Sequence, residues 1–186
     1  MSETEVFIKN AIEELKEQIQ GKAIIACSGG VDSMVSAVLT SKAVGDRLLA
    51  VYVDTGLMRK GETEEVRKML EDMKMNFKII DAADEFFAAL KGVMDPETKR
   101  KVIGGMFIKV FEREAKQFGS EYLVQGTIAP DIIESGKDGE GVIKSHHNVG
   151  GLPKEMGMTV VEPLRELFKE DVRELARALG IRSSVR

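Results

Sequence analysis

Apolar positions along this chain alternate between two periods, and that alternation predicts the architecture. Ile8, Ile12, Leu15 and Ile19 recur at helical spacing, so the first element is a helix from about Thr4 to Ile19 with one buried stripe. Ala23-Ile24-Ile25-Ala26-Cys27 is then a short continuous apolar run, the signature of a strand covered on both faces. Leu48 to Val53, Phe77 to Ile80, Glu121 to Gln125 and Thr159 to Glu162 repeat that pattern. Between them lie stretches with helical spacing: Met34 to Val44, Glu62 to Met75, Asp84 to Leu90 and a long one opened by Asp95-Pro96-Glu97 and reaching Phe118. A last helix begins near Leu164 or Lys169 and stops at Gly180. Strands alternating with helices predict an α/β fold, a parallel five-stranded sheet with right-handed crossovers and helices on both faces. The interval from Gly126 to Met158 breaks the rhythm with 33 residues, seven glycines and little periodicity, and is expected to be a mobile lid.

The junction after the first strand carries the clearest chemistry. Ser28-Gly29-Gly30-Val31-Asp32-Ser33 turns a strand into a helix. Such a turn presents unpaired backbone N–H groups at the positive end of the helix dipole, which makes an anion site. Gly29 and Gly30 lack Cβ atoms, so the backbone can close on a phosphate oxygen. Ser28 and Ser33 add hydroxyls, and Asp32 is a candidate ligand for Mg²⁺ held against phosphates. A plain helix cap, worth ~1 kcal/mol, needs one such residue rather than this whole set. No Gly-Lys-Ser or Gly-Lys-Thr follows, which disfavours a γ-phosphate clamp of the kinase or GTPase type. In an open parallel sheet, ligands lie beyond the carboxyl ends of the strands. Asp54-Thr55-Gly56 and Gln125-Gly126-Thr127 also fall just past strand ends, so all three turns are expected on one rim.

Composition narrows the partners. At 186 residues one domain is expected, with 43% hydrophobic and 31% charged residues as in ordinary globular chains. The net charge of −4, from 27 basic and 31 acidic residues, argues against nucleic acid as the main partner. The single cysteine, Cys27, excludes a disulfide framework or a CxxC pair and points to the cytoplasm; it is read as a small apolar residue in the first strand. Met1-Ser2-Glu3-Thr4-Glu5 has no signal-peptide core, and no apolar run nears the ~18 residues of a membrane span.

The run from Ser28 to Ser33 matches the SGGxDS signature of the ATP pyrophosphatases (the PP-loop enzymes), which split ATP into AMP and pyrophosphate while adenylating a substrate oxygen. Further segments resemble the ATP pyrophosphatase domain of the GMP synthetase family. They are Val53 to Lys60, Gly92 to Glu97, Lys99 to Gly104, Gln125 to Asp131, Ile143-Lys144-Ser145-His146-His147-Asn148-Val149, and Glu162-Pro163-Leu164-Arg165-Glu166-Leu167. The resemblance runs from about residue 5 to residue 181 and implies a fold like that of the adenine nucleotide alpha hydrolases, Rossmann-like in outline. It also implies a reaction with ATP and Mg²⁺: adenylation of xanthosine monophosphate with release of pyrophosphate, then displacement of AMP by ammonia to give GMP. The protein then mainly positions two anionic nucleotides and neutralises developing charge.

By that resemblance Ser28, Gly29, Gly30, Val31, Asp32 and Ser33 hold the pyrophosphate, Asp32 binds Mg²⁺, Gly126 belongs to the same cradle, and Val53 meets the adenine through its backbone. Lys144 is the candidate for charge stabilisation, with a solvated loop lysine as its plain alternative. His146 and His147 are adjacent and point apart in extended backbone, so a two-histidine metal site is disfavoured, while one imidazole or Asn148 can reach substrate. Asp131 and Glu134 share a face if their segment is helical, and either order the lid or orient the purine; surface carboxylates are the competing reading. Arg100 is a candidate phosphate ligand within a run that by default is a solvated helix face. No glutaminase segment precedes residue 1, so the resemblance implies ammonia from solution or from a separate glutamine amidotransferase subunit. The family's C-terminal dimerisation domain is expected to be absent after Arg186; a homodimer is implied where it is present. Two alternatives stay open: another PP-loop enzyme such as an NAD synthetase, and a nucleotide-binding module that docks a glutaminase without catalysis.

Overall fold

The computed structural model describes residues 2–135 and 157–182. Five parallel strands, β1 (Ala23–Ala26), β2 (Leu48–Asp54), β3 (Phe77–Asp81), β4 (Tyr122–Val124) and β5 (Thr159–Val161), form one sheet in the order β3-β2-β1-β4-β5. The helices are α1 (Glu3–Gln18), α2 (Val31–Val44), α3 (Glu62–Asp72), α4 (Ala83–Leu90), α5 (Pro96–Phe118), α6 (Ala129–Ser135) and α7 (Lys169–Ala178). The parallel α/β sheet with helices on both faces is thus as the alternation predicts.

Alternating strand residues divide the core in two. Ala23, Ile25, Cys27, Leu48, Ala50, Tyr52 and Val124 join apolar residues of α1, α2, α3 and α7 on one face. Ile24, Leu49, Val51, Val53, Ile80 and Leu123 meet Phe86 of α4 and Val110, Phe111 and Ala115 of α5 on the other. β1 lies at the centre, paired with β2 and β4, and the order of strands reverses direction between β1 and β4. That reversal opens a crevice at the carboxyl end of β1.

Two expectations need correction. The second helix begins at Val31, not Met34, so Val31, Asp32 and Ser33 form its first turn. The Gly126–Met158 interval is not wholly irregular, because Ala129–Ser135 is a helix. Its start is fixed by one distant neighbour and one local one: the Ala129 N–H donates to the Leu167 carbonyl at 2.9 Å, and the Ile128 N–H to Asp131 Oδ2 at 3.0 Å. Lys144, His146, His147 and Asn148 lie outside the described residues. No helix among the described residues is long and apolar enough to cross a membrane.

Candidate functional site

The turn between β1 and α2 is built from the inside out. Ala23, Ile24 and Ile25 of β1 are buried, and the Cys27 N–H donates to the Val51 carbonyl at 2.8 Å, holding the strand end in register with β2. Gly29 then takes φ +79°, a left-handed conformation that a side chain would strain, and a Cβ there would come 3.2 Å from Val66 Cγ2 of α3. Gly30 is the N-cap of α2, in extended conformation, and no side chain caps the helix. The plain-cap reading of Ser28 or Asp32 therefore does not describe this turn.

The serine hydroxyls instead bond within the loop. Ser33 Oγ donates to the Gly30 carbonyl at 3.0 Å, Ser28 Oγ accepts from the Gly30 N–H at 3.3 Å, and the two hydroxyls lie 3.3 Å apart. These contacts hold the loop open around the first turn of α2. A positive helix end without a side-chain cap, framed by two hydroxyls, suits a phosphoryl group.

Asp32 sits in this first turn, where its negative charge is favoured by the dipole. Both of its carboxylate oxygens accept from Lys169 Nζ, at 2.7 and 2.8 Å. Lys169 is the first residue of α7, and 137 positions separate the partners. Sequence reasoning missed this lysine. The one available signal was its place two residues beyond the Glu162–Leu167 segment, but nothing in spacing tells which strand end it would face.

The other rim turns play different parts. Asp54 closes its own corner: Oδ1 accepts from the Gly56 N–H at 2.9 Å and Oδ2 from the Thr63 hydroxyl at 2.6 Å. Val53 is buried in β2; the Val51 carbonyl faces β1 and the Asp54 carbonyl faces β3, accepting from the Ala82 N–H at 2.9 Å. By alternation the Val53 peptide groups point to the β1 side, where β1 has already turned away. Gly126 is a packing glycine: a Cβ on it would lie 3.0 Å from Asp32 C and from Ser33 N. It therefore lets β4 close against the first turn of α2.

Arg100 stands on the exposed opening turns of α5, paired with Glu97 at 2.9 Å. Asp131 binds the start of α6, and Glu134 belongs to the same helix. Among the described residues no three His, Cys, Asp or Glu groups gather as a metal site. A single carboxylate beside phosphate oxygens nevertheless fits Mg²⁺, which keeps several waters and is held by one or two carboxylates plus substrate phosphates. Cys27 is inert by environment, since burial pushes its thiol up to about 12.

A family model described as NAD synthase matches residues 1–117. A GMP synthase (glutamine-hydrolyzing) subunit of Methanococcus maripaludis is 61% identical over 183 residues, 97% of this chain and 57% of the relative. The protein of the same name from Thermoplasma acidophilum is 54% identical over 182 residues, 98% of this chain and 59% of the relative. The chain thus spans under three fifths of the length of these curated relatives. Among solved structures, the NH3-dependent NAD synthetase from Campylobacter jejuni superposes with a TM-score of 0.74 at 15% identity, over 99% of this chain and 76% of that one. The NMN synthetase from Francisella tularensis gives 0.73 at 14% identity, over 100% and 74%. At such identities these two establish the fold alone.

Proposed function

Because the chain belongs to the NAD synthase family, we propose that it is the ATP-adenylating part of a GMP synthase. The observation that carries this reading is the turn from Ser28 to Ser33, which leaves the first turn of α2 without a side-chain cap at the crevice of the sheet. Identities of 54–61% with proteins named as GMP synthase subunits, over nearly all of this chain, support xanthosine monophosphate as the acceptor.

In this reading the triphosphate of ATP lies on the loop, with its leaving pyrophosphate against the N–H groups of the first turn of α2 and the hydroxyls of Ser28 and Ser33. Adenine lies across the ends of β1 and β2, where the Val53 peptide edge is directed. Asp32 would hold Mg²⁺, which screens phosphate charge when bound. The 2-oxygen of xanthosine monophosphate attacks the α-phosphorus and the bond to pyrophosphate breaks. Ammonia then adds at the purine C2, and AMP departs with that oxygen. The chain's part is to align the reactants and to stabilise charge on the leaving group, with no covalent enzyme intermediate. A glutamine amidotransferase subunit in the cytoplasm is the proposed ammonia source.

Incubation with ATP, magnesium, ammonium and xanthosine monophosphate tests this, with Asp32→Ala as the inactive control. AMP, pyrophosphate and GMP should form in equal amounts, and only with xanthosine monophosphate present. AMP release that follows nicotinic acid adenine dinucleotide instead would make the chain an NAD synthetase. ATP binding without AMP release on any acceptor would leave a nucleotide-binding module.

A further inference from the structure

Gly104 and Gly105 sit side by side in the interior of α5, and nothing in the fold asks for a glycine at either. Neither takes a positive φ, and a Cβ on either would meet no neighbouring atom within 4 Å outside its own turn. In a helix interior each glycine favours the unwound turn by about fivefold relative to alanine. The pair therefore weakens α5 at one point, and the two sides of that point differ. After it, Phe107 stacks on Phe111 with ring centroids 6.3 Å apart, and Val110, Phe111 and Ala115 are locked in the core. Before it, none of residues 96–103 is buried, and among the described residues the side-chain hydrogen bonds of that stretch stay within 95–100.

The weak half lies over the crevice. Lys22, the residue before β1, donates from Nζ to the Phe118 carbonyl at 3.2 Å, so α5 ends at the amino edge of the sheet. From there back to Pro96 is about 33 Å of helix, whereas β2, the longest strand, covers about 20 Å. The excess of about 13 Å corresponds to residues 96–103, which overhang the carboxyl ends of the strands. Ile103, Met106 and Phe107, beside the glycines, pack on the same core as Val53. We propose that the first half of α5 is a gate: it unwinds from its cap through Gly104 and Gly105 to admit ATP, then re-forms over it. The inference rests on the nucleotide lying across the ends of β1 and β2. A gate that is closed both before and after binding sets rates rather than affinity, because entry and exit share the open state. The competing role is room for a ligand, in which the missing Cβ atoms let the nucleotide sit closer and so set affinity.

The Gly104→Ala/Gly105→Ala double variant separates the two. Both substitutions favour the helix and enter open space, so loss of fold cannot mimic the result. Hydrogen exchange is followed on peptides spanning 100–107, and binding by stopped flow with a ribose-labelled fluorescent ATP and magnesium. Those amides should exchange about tenfold to thirtyfold more slowly in the variant, the two propensity factors combined. Association and dissociation of the nucleotide should slow together by a similar factor, leaving Kd within about twofold of the wild type. Faster dissociation and a weaker Kd would overturn the gate in favour of ligand room. Slower exchange with unchanged binding rates would also overturn it, since the opening would then lie off the entry path. Unchanged exchange would show that the glycines are no hinge. A wild type that binds no ATP would instead sink the reading of the loop from Ser28 to Ser33, and the gate with it.

Discussion

Asp32 and Ser33 present bare backbone to Gly126, and that contact leaves no room for a methyl group. Gly126→Ala would put a Cβ 3.0 Å from two main-chain atoms, neither of which can rotate aside. The first turn of α2 must then shift, and overpacking of this kind costs about 1–3 kcal/mol. We expect a lower melting temperature together with at least tenfold weaker ATP binding, read by thermal denaturation and nucleotide titration. A loss of stability with ATP affinity intact would detach Gly126 from the loop. Ser28 to Ser33 was legible in the sequence because a turn's chemistry is local: glycines, hydroxyls and a carboxylate within six positions. Lys169 was not, since its partner is distant in sequence and only the folding of α7 beside α2 joins them.

At the scale of elements, α5 shows how one helix can be held unevenly. No residue from Pro96 to Lys109 is fully buried, whereas Val110, Phe111, Glu114 and Ala115 are. The opening turns therefore depend on their cap. Asp95 Oδ2 accepts from the Thr98 N–H at 2.7 Å and from the Thr98 hydroxyl at 2.8 Å. The bond from the Thr98 N–H, followed by that from its hydroxyl, holds the Asp95 carboxyl below its ordinary value of 3.8. A lowered carboxyl pKa stabilises the folded state above the unfolded value, and that contribution fades as pH falls through the folded one. Amides of the first turn of α5 should thus exchange faster below about pH 4. Asp95→Ala should show the same fraying at neutral pH, and hydrogen exchange on peptides spanning 91–103 checks both. Pro96 after an aspartate made this start readable. α6 escaped notice because it is short, and because its first bonds come from Leu167 and from the side chain of Asp131.

Across the whole molecule, the two cores on either side of the sheet share β1, and Cys27 lies at its end with 3% of its surface exposed. Local motion of a loop does not free that thiol. A thiol reagent should therefore modify Cys27 in step with global unfolding measured by circular dichroism across a denaturant series. Rapid reaction in native buffer would show that the strand end opens by itself. The alternation of apolar runs made the parallel sheet predictable, but not the order β3-β2-β1-β4-β5, which depends on which crossover passes over which strand.

The helix that would grip the nucleotide is walled in along its length: from Met34 to Thr40 every residue is buried, and in the turn after them Lys42 alone is exposed. A lineage altering the proposed phosphate site by changing α2 would compromise its ability to fold at the same stroke. Divergence toward new acceptors has freer ground on the solvent-washed start of α5, where sequence can wander without disturbing the interior. Random mutagenesis followed by selection for folding alone should leave that contrast visible, with α2 nearly frozen and residues 97–101 widely varied.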